Sequence, residues 1–229
     1  MIGVMMSEMT KNMGTKGMLV YNRLKTDILD NKYPPGTDMV ERKLCDIYEV
    51  SRSTIRHALS ALCAEGILEN KQGKGIAVPE YRIEDILEVY DLVGVLQVYA
   101  IETSLSGYTS NNDKKLKEIN EKAREYLDKG DLAERMNWDI MFHEAIVDFA
   151  HNKHLKMLFD LMVNHKRRFD VTSFDDPEHA KVTLEQHIKI YEALCKRDVE
   201  AAVTEMNEHT DYIKKYYIDK LINKRHNIS

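Results

Sequence analysis

Thr37–Val78, TDMVERKLCDIYEVSRSTIRHALSALCAEGILENKQGKGIAV, is the stretch on which the reading of the fold turns. Glu41 to Tyr48 places Leu44 and Ile47 on one edge of a short helix, and both are expected to be buried. Val50 is the apolar residue of a tight turn, and Ser51 has the short hydroxyl side chain that caps a helix start. Beyond it Ile55, Leu59 and Leu62 share one face until Gly66 ends the helix. Ile67-Leu68-Glu69, then Lys71–Gly75, then Ile76-Ala77-Val78 read as strand, glycine-rich turn and strand, closed by Pro79.

Working outward, Val20, Leu24 and Ile28 recur at spacing four, and Leu29 widens the stripe. Asn31 suits a left-handed helix end, and Tyr33-Pro34-Pro35-Gly36 stops the helix. Three helices and a small hairpin are the parts of a winged helix-turn-helix, here over 16–79. Residues 1–15, rich in methionine and lacking a charged start followed by an apolar block, read as a flexible extension and not a signal peptide.

In a helix-turn-helix the second helix enters the major groove, and its first residues meet bases and phosphates. Those positions are Ser51, Arg52, Ser53, Thr54 and Arg56. Arginine can donate two hydrogen bonds to one guanine, and the hydroxyls can reach phosphates or bases. Arg42 opens the preceding helix, and Gly73 beside Lys74 forms a wing tip that fits a minor groove. Any one of these arginines read alone is more often a solvated side chain.

The net charge of −5 argues against nucleic acid only until its distribution is considered. Lys16 to Pro79 holds ten Lys/Arg against eight Asp/Glu, and Ser51–Ala64 contains Arg52, Arg56 and His57 with no acid. The field that a DNA phosphate meets is local. No apolar run is long enough to cross a bilayer, so no membrane partner is expected. The three unpaired cysteines, Cys45, Cys63 and Cys195, read as reduced core residues of a cytoplasmic protein.

From residue 80 to 229 the pattern is helical throughout, with turns at Gly107, Gly130-Asp131, His151-Asn152, Ser173–Pro177 and Arg197-Asp198. About six antiparallel helices, near 83–106, 113–129, 132–150, 153–171, 178–196 and 199–223, make a bundle, so the chain as a whole is mainly α. Three of them carry a histidine on an apolar stripe: His143 among Met136, Ile140 and Val147, His187 among Ala180, Leu184 and Tyr191, and His209 among Ala202, Met206 and Ile213. Asp139 lies one turn before His143. Buried alone, such groups are costly. A divalent metal such as zinc or nickel would satisfy Asp139, His143, His187 and His209 together, and spacing alone leaves open a metal-free, hydrogen-bonded cluster. His151, His154, His165, His179 and His226 read as surface or peripheral residues. A hydrolytic centre is disfavoured, because Val147 stands where an H-E-x-x-H motif needs its second histidine.

The Thr37–Val78 string, with Val50-Ser51-Arg52-Ser53-Thr54-Ile55-Arg56, Glu65-Gly66 and Gly73, resembles the DNA-binding domain of the GntR family of regulators. The stretches WDIMFHEAIVDFAHNKHL and LEQHIKIYEALCKRDVEAAVTEMNEH resemble the FCD ligand-binding domain of its FadR subfamily. The resemblance implies a transcription regulator, not an enzyme. It would bind double-stranded, palindromic operator DNA as a homodimer and act as a repressor. It also implies DNA contacts at Arg42, Arg52, Arg56 and Gly73, a metal on Asp139, His143, His187 and His209, and a small organic acid as effector. Gln97 stands where similar proteins usually carry Glu, with no arginine before it, so no effector contact is carried over to that helix. Arg167 and Arg168 are the alternative cations for the acid. A metal-free site for an acyl-type or apolar effector is the competing reading.

Overall fold

The computed structural model describes residues 14–71, 73, 75–80, 82–105, 107–170 and 176–226, without the side chains of 167–170 and 221–226. By internal packing the chain divides into two units, residues 1–82 with 164–171, and 83–163 with 172–229. Among the described residues the first unit begins with helices α1 (Thr15–Leu29), α2 (Glu41–Tyr48) and α3 (Arg52–Ala64). Strands β1 (Glu69–Lys71) and β2 (Gly75–Ala77) follow. The extension expected over 1–15 lies outside the described residues except for Gly14 and Thr15, and α1 already starts at Thr15.

Leu24, Ile55, Ala58, Leu59, Leu62 and Ile67 are fully buried, which places α1 and α3 back to back. Asn31 takes the left-handed conformation anticipated for it. Ile47 is corrected: it is 49% exposed, and Tyr48 is the residue of α2 buried beside Leu44. The eight-residue helix buries only the edge facing α3. Tyr48 also has a use for its hydroxyl, which donates to Asp27 on α1 at 2.6 Å. Glu65, at the end of α3, is buried because Lys25 and the Tyr21 hydroxyl both donate to it.

The wing differs in register from the sequence reading. Ile67 and Leu68 are not strand residues; their amides return to the Leu62 carbonyl and extend the α3 core. The antiparallel pairs are Glu69 with Ala77, Asn70 with Ile76 and Lys71 with Gly75. The segment after Pro35 adds an unanticipated edge: Met39 donates to Ile76, Val78 to Thr37 and Gly36 to Val78, each at 2.8–2.9 Å. Gly36 has φ +85°, which permits this return.

The second unit is the expected helical bundle. Its elements are α4 (Ile83–Ser104), α5 (Ser110–Asp128), α6 (Leu132–Phe149), α7 (Lys153–Asp170, of which the residues from 164 on belong to the first unit), α8 (Pro177–Cys195) and α9 (Val199–His226). Each of α5, α6 and α8 begins on a side-chain cap, from Thr109, Asp131 and Asp176 respectively. Helix α6 packs on α4, α5 and α8, and α9 packs on α4 and α8. Phe142, Ile146, Phe159, Leu116, Ile101 and Ile190 fill the core between them. Cys45, Cys63 and Cys195 are unpaired and half-buried, at the rims of the two cores rather than within them.

Candidate nucleic-acid interface and metal centre

Ser51 caps α3 as expected. Its hydroxyl accepts from the Thr54 amide at 3.3 Å and lies within 2.9 Å of the Ser53 and Thr54 hydroxyls. The turn before it is made by Glu49 in the left-handed conformation, φ +52°. Burial of Ile55, Leu59 and Leu62 on one face turns Ser51, Arg52, Ser53 and Arg56 to solvent, with Thr54 half-buried between the faces. Arg42 is exposed on α2, and Gly73 is exposed at the wing tip with φ +72°. Lys74 lies outside the described residues. Arg56 is engaged by Glu41, a residue that the sequence reading passed over. The paired guanidinium lowers the Glu41 pKa, and the carboxylate raises that of Arg56.

The second constellation lies inside the bundle. Helix α6 carries Arg135, Asp139 and His143 one turn apart; α8 carries Thr183 and His187, and α9 carries His209. The imidazoles of His143, His187 and His209 converge, with possible ligand atoms within 4.8 Å of one another, and could hold a metal ion. All three residues are at most 4% exposed. The Phe142 ring stacks on His187 at 4.2 Å. Burial depresses the His187 pKa well below the usual histidine value, and its Nε2 has no hydrogen-bond partner. A buried lone pair without a proton donor is what a metal ligand requires.

Two glutamines orient the other rings. Gln97 Oε1 meets Nδ1 of His143, and Gln186 Oε1 meets Nδ1 of His209 at 2.9 Å. An amide oxygen only accepts, so each ring carries its proton on Nδ1 and its lone pair on Nε2. Asp139 borders the cluster: its two oxygens lie 3.8 Å from Nε2 of His187 and Nε2 of His143. One of those oxygens is also paired with Arg135 at 3.1 Å. Arg135 donates to Thr183 as well, at 2.6 Å.

Gln97, Gln186, Arg135 and Thr183 were missed as site residues. Gln97 left a signal, since a polar residue at a buried helical position is what gave the histidines away. The side chains of Arg167 and Arg168 lie outside the described residues. His179 is no surface residue: it is 7% exposed, its ring is stacked 3.8 Å from that of Tyr216, and it contacts the Tyr212 hydroxyl at 3.3 Å.

A winged helix-turn-helix presenting a capped, arginine-bearing helix, in one chain with a helical bundle that has a polar heart, defines a class: the one-component transcription regulator. The chain belongs to the GntR family. Residues 18–78 match the bacterial regulatory proteins of the gntR family, and residues 88–212 match the FCD domain. It is 27% identical over 193 residues to the HTH-type transcriptional regulator YdhC of Bacillus subtilis, covering 84% of this chain and 86% of that one. To the galactonate operon transcriptional repressor of Escherichia coli it is 26% identical over 206 residues, covering 78% and 86%. The fold is that of a GntR transcriptional regulator from Rhodococcus sp. RHA1, with a TM-score of 0.78, 22% identity, and 90% and 99% of the two chains covered. These relatives and neighbours are regulators, not enzymes. Among the described residues no helix is long and apolar enough to cross a membrane.

Proposed function

We propose that the protein is a cytoplasmic, homodimeric repressor whose two α3 helices read a palindromic operator, and which a small organic acid releases from DNA through a metal-assisted site in the bundle. Arg42, Ser51, Arg52, Ser53, Thr54, Arg56, Gly73 and Lys74 are the DNA-facing residues in this reading. One chain carries a single α3, and a two-fold dimer matches a two-fold operator. His143, His187, His209 and Asp139 would hold zinc or nickel, the ions that suit imidazole with one carboxylate. The ion supplies a positive charge to which a carboxylate can bind. One relative is named as a repressor of an operon that is itself named for an organic acid, galactonate.

The observation that carries this reading is the buried tri-imidazole cluster. Metal analysis of the purified protein tests it, with His143→Ala and His209→Ala as comparisons. Stoichiometric zinc or nickel in the parent protein, lost from both variants, is the expected result. Metal-free protein that behaves like both variants would replace this reading with a metal-free site for an apolar effector.

A further inference from the structure

Helix α5 buries Leu116, Ile119, Asn120 and Ala123, and the polar member of that stripe is Asn120. It is 6% exposed, and neither its amide nitrogen nor its amide oxygen has a hydrogen-bond partner. Among the described residues no other side chain leaves two buried polar atoms unmatched. An unmatched buried amide costs stability that an apolar side chain of similar size would not. Asn120 lines a cleft of about 490 Å³ between α5 and α8, a volume typical of small-molecule sites.

Helix α8 contributes Ile188 and Tyr191 to the cleft, both half-buried, and so supplies an apolar side chain and an aromatic ring. The charged side chains around it largely answer one another. Lys117 pairs with Glu121 at 3.7 Å, and Glu125 accepts from Lys122 at 2.7 Å and from Lys129 at 2.6 Å. Arg124 and Asp128 bring one charge of each sign. Neither sign dominates, so the field draws in neither an acid nor a cation. What remains for recognition is the Asn120 amide, with N–H donors beside a carbonyl acceptor, next to a ring that can stack. Its complement is an N–H and an acceptor side by side on a flat, uncharged compound, the edge that nucleobases and aromatic carboxamides share.

We infer that the α5–α8 cleft is a second ligand site, for a neutral planar compound carrying that edge. Asn120 pairs with it through both its donor and its acceptor, and Tyr191 and Ile188 pack on its ring. None of the residues lining the cleft belongs to the histidine cluster, and the inference does not rest on the metal reading above.

Calorimetry on the full-length protein tests it, with uracil and benzamide each titrated beside its methylated form, dimethyluracil or dimethylbenzamide. The methylated forms keep the ring and the carbonyl groups but lose every N–H. At least one parent compound should bind, about tenfold or more tightly than its methylated form. Binding of uracil points to a nucleobase, and binding of benzamide to a carboxamide. Asn120→Leu should lose about tenfold or more in that affinity while unfolding at no lower urea concentration, because it removes an unmatched polar group. A cleft that binds neither compound holds solvent alone, and overturns the inference. Equal affinity for the methylated forms, or unchanged affinity in Asn120→Leu, overturns it as well. Should Asn120→Leu lose its fold, Ile188→Trp decides: it fills the cleft from the half-buried side of α8 and must abolish binding, and binding that survives it overturns the site.

Discussion

Arg56 and Glu41 form a two-point ion pair, Nε to Oε1 and Nη2 to Oε2, each at 3.0 Å, joining the second turn of α3 to the first residue of α2. One of the proposed DNA-reading arginines is thus held by a carboxylate in the DNA-free protein. Arg56 is well exposed and Glu41 partly so, and such surface pairs open at little cost. A DNA phosphate or guanine would compete with Glu41 for the same fork. Glu41→Ala is therefore expected to tighten operator binding by about two- to fivefold and to steepen its salt dependence, since one local negative charge is removed. Fluorescence anisotropy at several salt concentrations measures both. Weaker binding would show instead that Glu41 holds Arg56 in its reading position.

Arg52 is free of any such carboxylate fork among the hydrogen bonds and ion pairs of α3, and it directly follows the Ser51 cap. That places it at the end of the helix which enters the groove first. A bidentate arginine–guanine contact discriminates by about 1–3 kcal/mol. Arg52→Ala should lower affinity for the specific operator by about tenfold or more while changing binding to a random duplex far less. Competition between the two duplexes separates these effects. An equal loss on both would make Arg52 a phosphate contact.

Gln97 holds His143 by its Nδ1 and so directs its Nε2 lone pair into the cluster. Loss of the partner that orients a metal-bound histidine commonly costs about 10–100-fold in metal affinity. Gln97→Leu is close to the same volume and removes the carboxamide whose oxygen accepts from His143, so about a tenfold weaker affinity for zinc is expected, with the fold retained. Competition with a chromophoric chelator reads the affinity, and circular dichroism checks the fold. Unchanged affinity would mean that helix packing alone orients the ring.

Much of this was legible because the relevant signals are local. Ser51 before Ile55, Leu59 and Leu62 defines a capped, one-sided helix, and His143, His187 and His209 each interrupt an apolar stripe. What escaped depends on distant partners. Ile47 has the spacing of a core residue but lies exposed, because α2 is too short to bury two edges and Tyr48 takes the inner position through Asp27. The hairpin register shifted because Ile67 and Leu68, apolar and β-prone, are claimed by the end of α3. Arg135 reads as a surface charge until Thr183, forty-eight residues away, is found beside it. Glu41 likewise gains its meaning only from Arg56.

The turn between α8 and α9 offers a test of charge in the bundle itself. Arg197 adopts the left-handed conformation, φ +61°, a position that glycine usually fills. Its side chain gives it a reason to be there: Nη1 donates to the carbonyls of Leu194 and Cys195 at the end of α8, and both Nη atoms donate to Asp113 on α5 at 3.0 Å. The hydrogen bonds from Arg197 are the main cause of a lowered Asp113 pKa. A carboxyl group whose pKa is lower folded than unfolded adds stability above its unfolded value, near 3.8, and that stability is lost as pH falls through the folded value. Asp113→Asn should therefore be less stable than the parent protein at pH 7 by a margin that holds down to about pH 5 and closes below pH 3.8. Urea unfolding at pH 7, 5, 4 and 3 measures that margin. A gap that persists unchanged at pH 3 would assign the loss to the shape of the turn rather than to the ion pair.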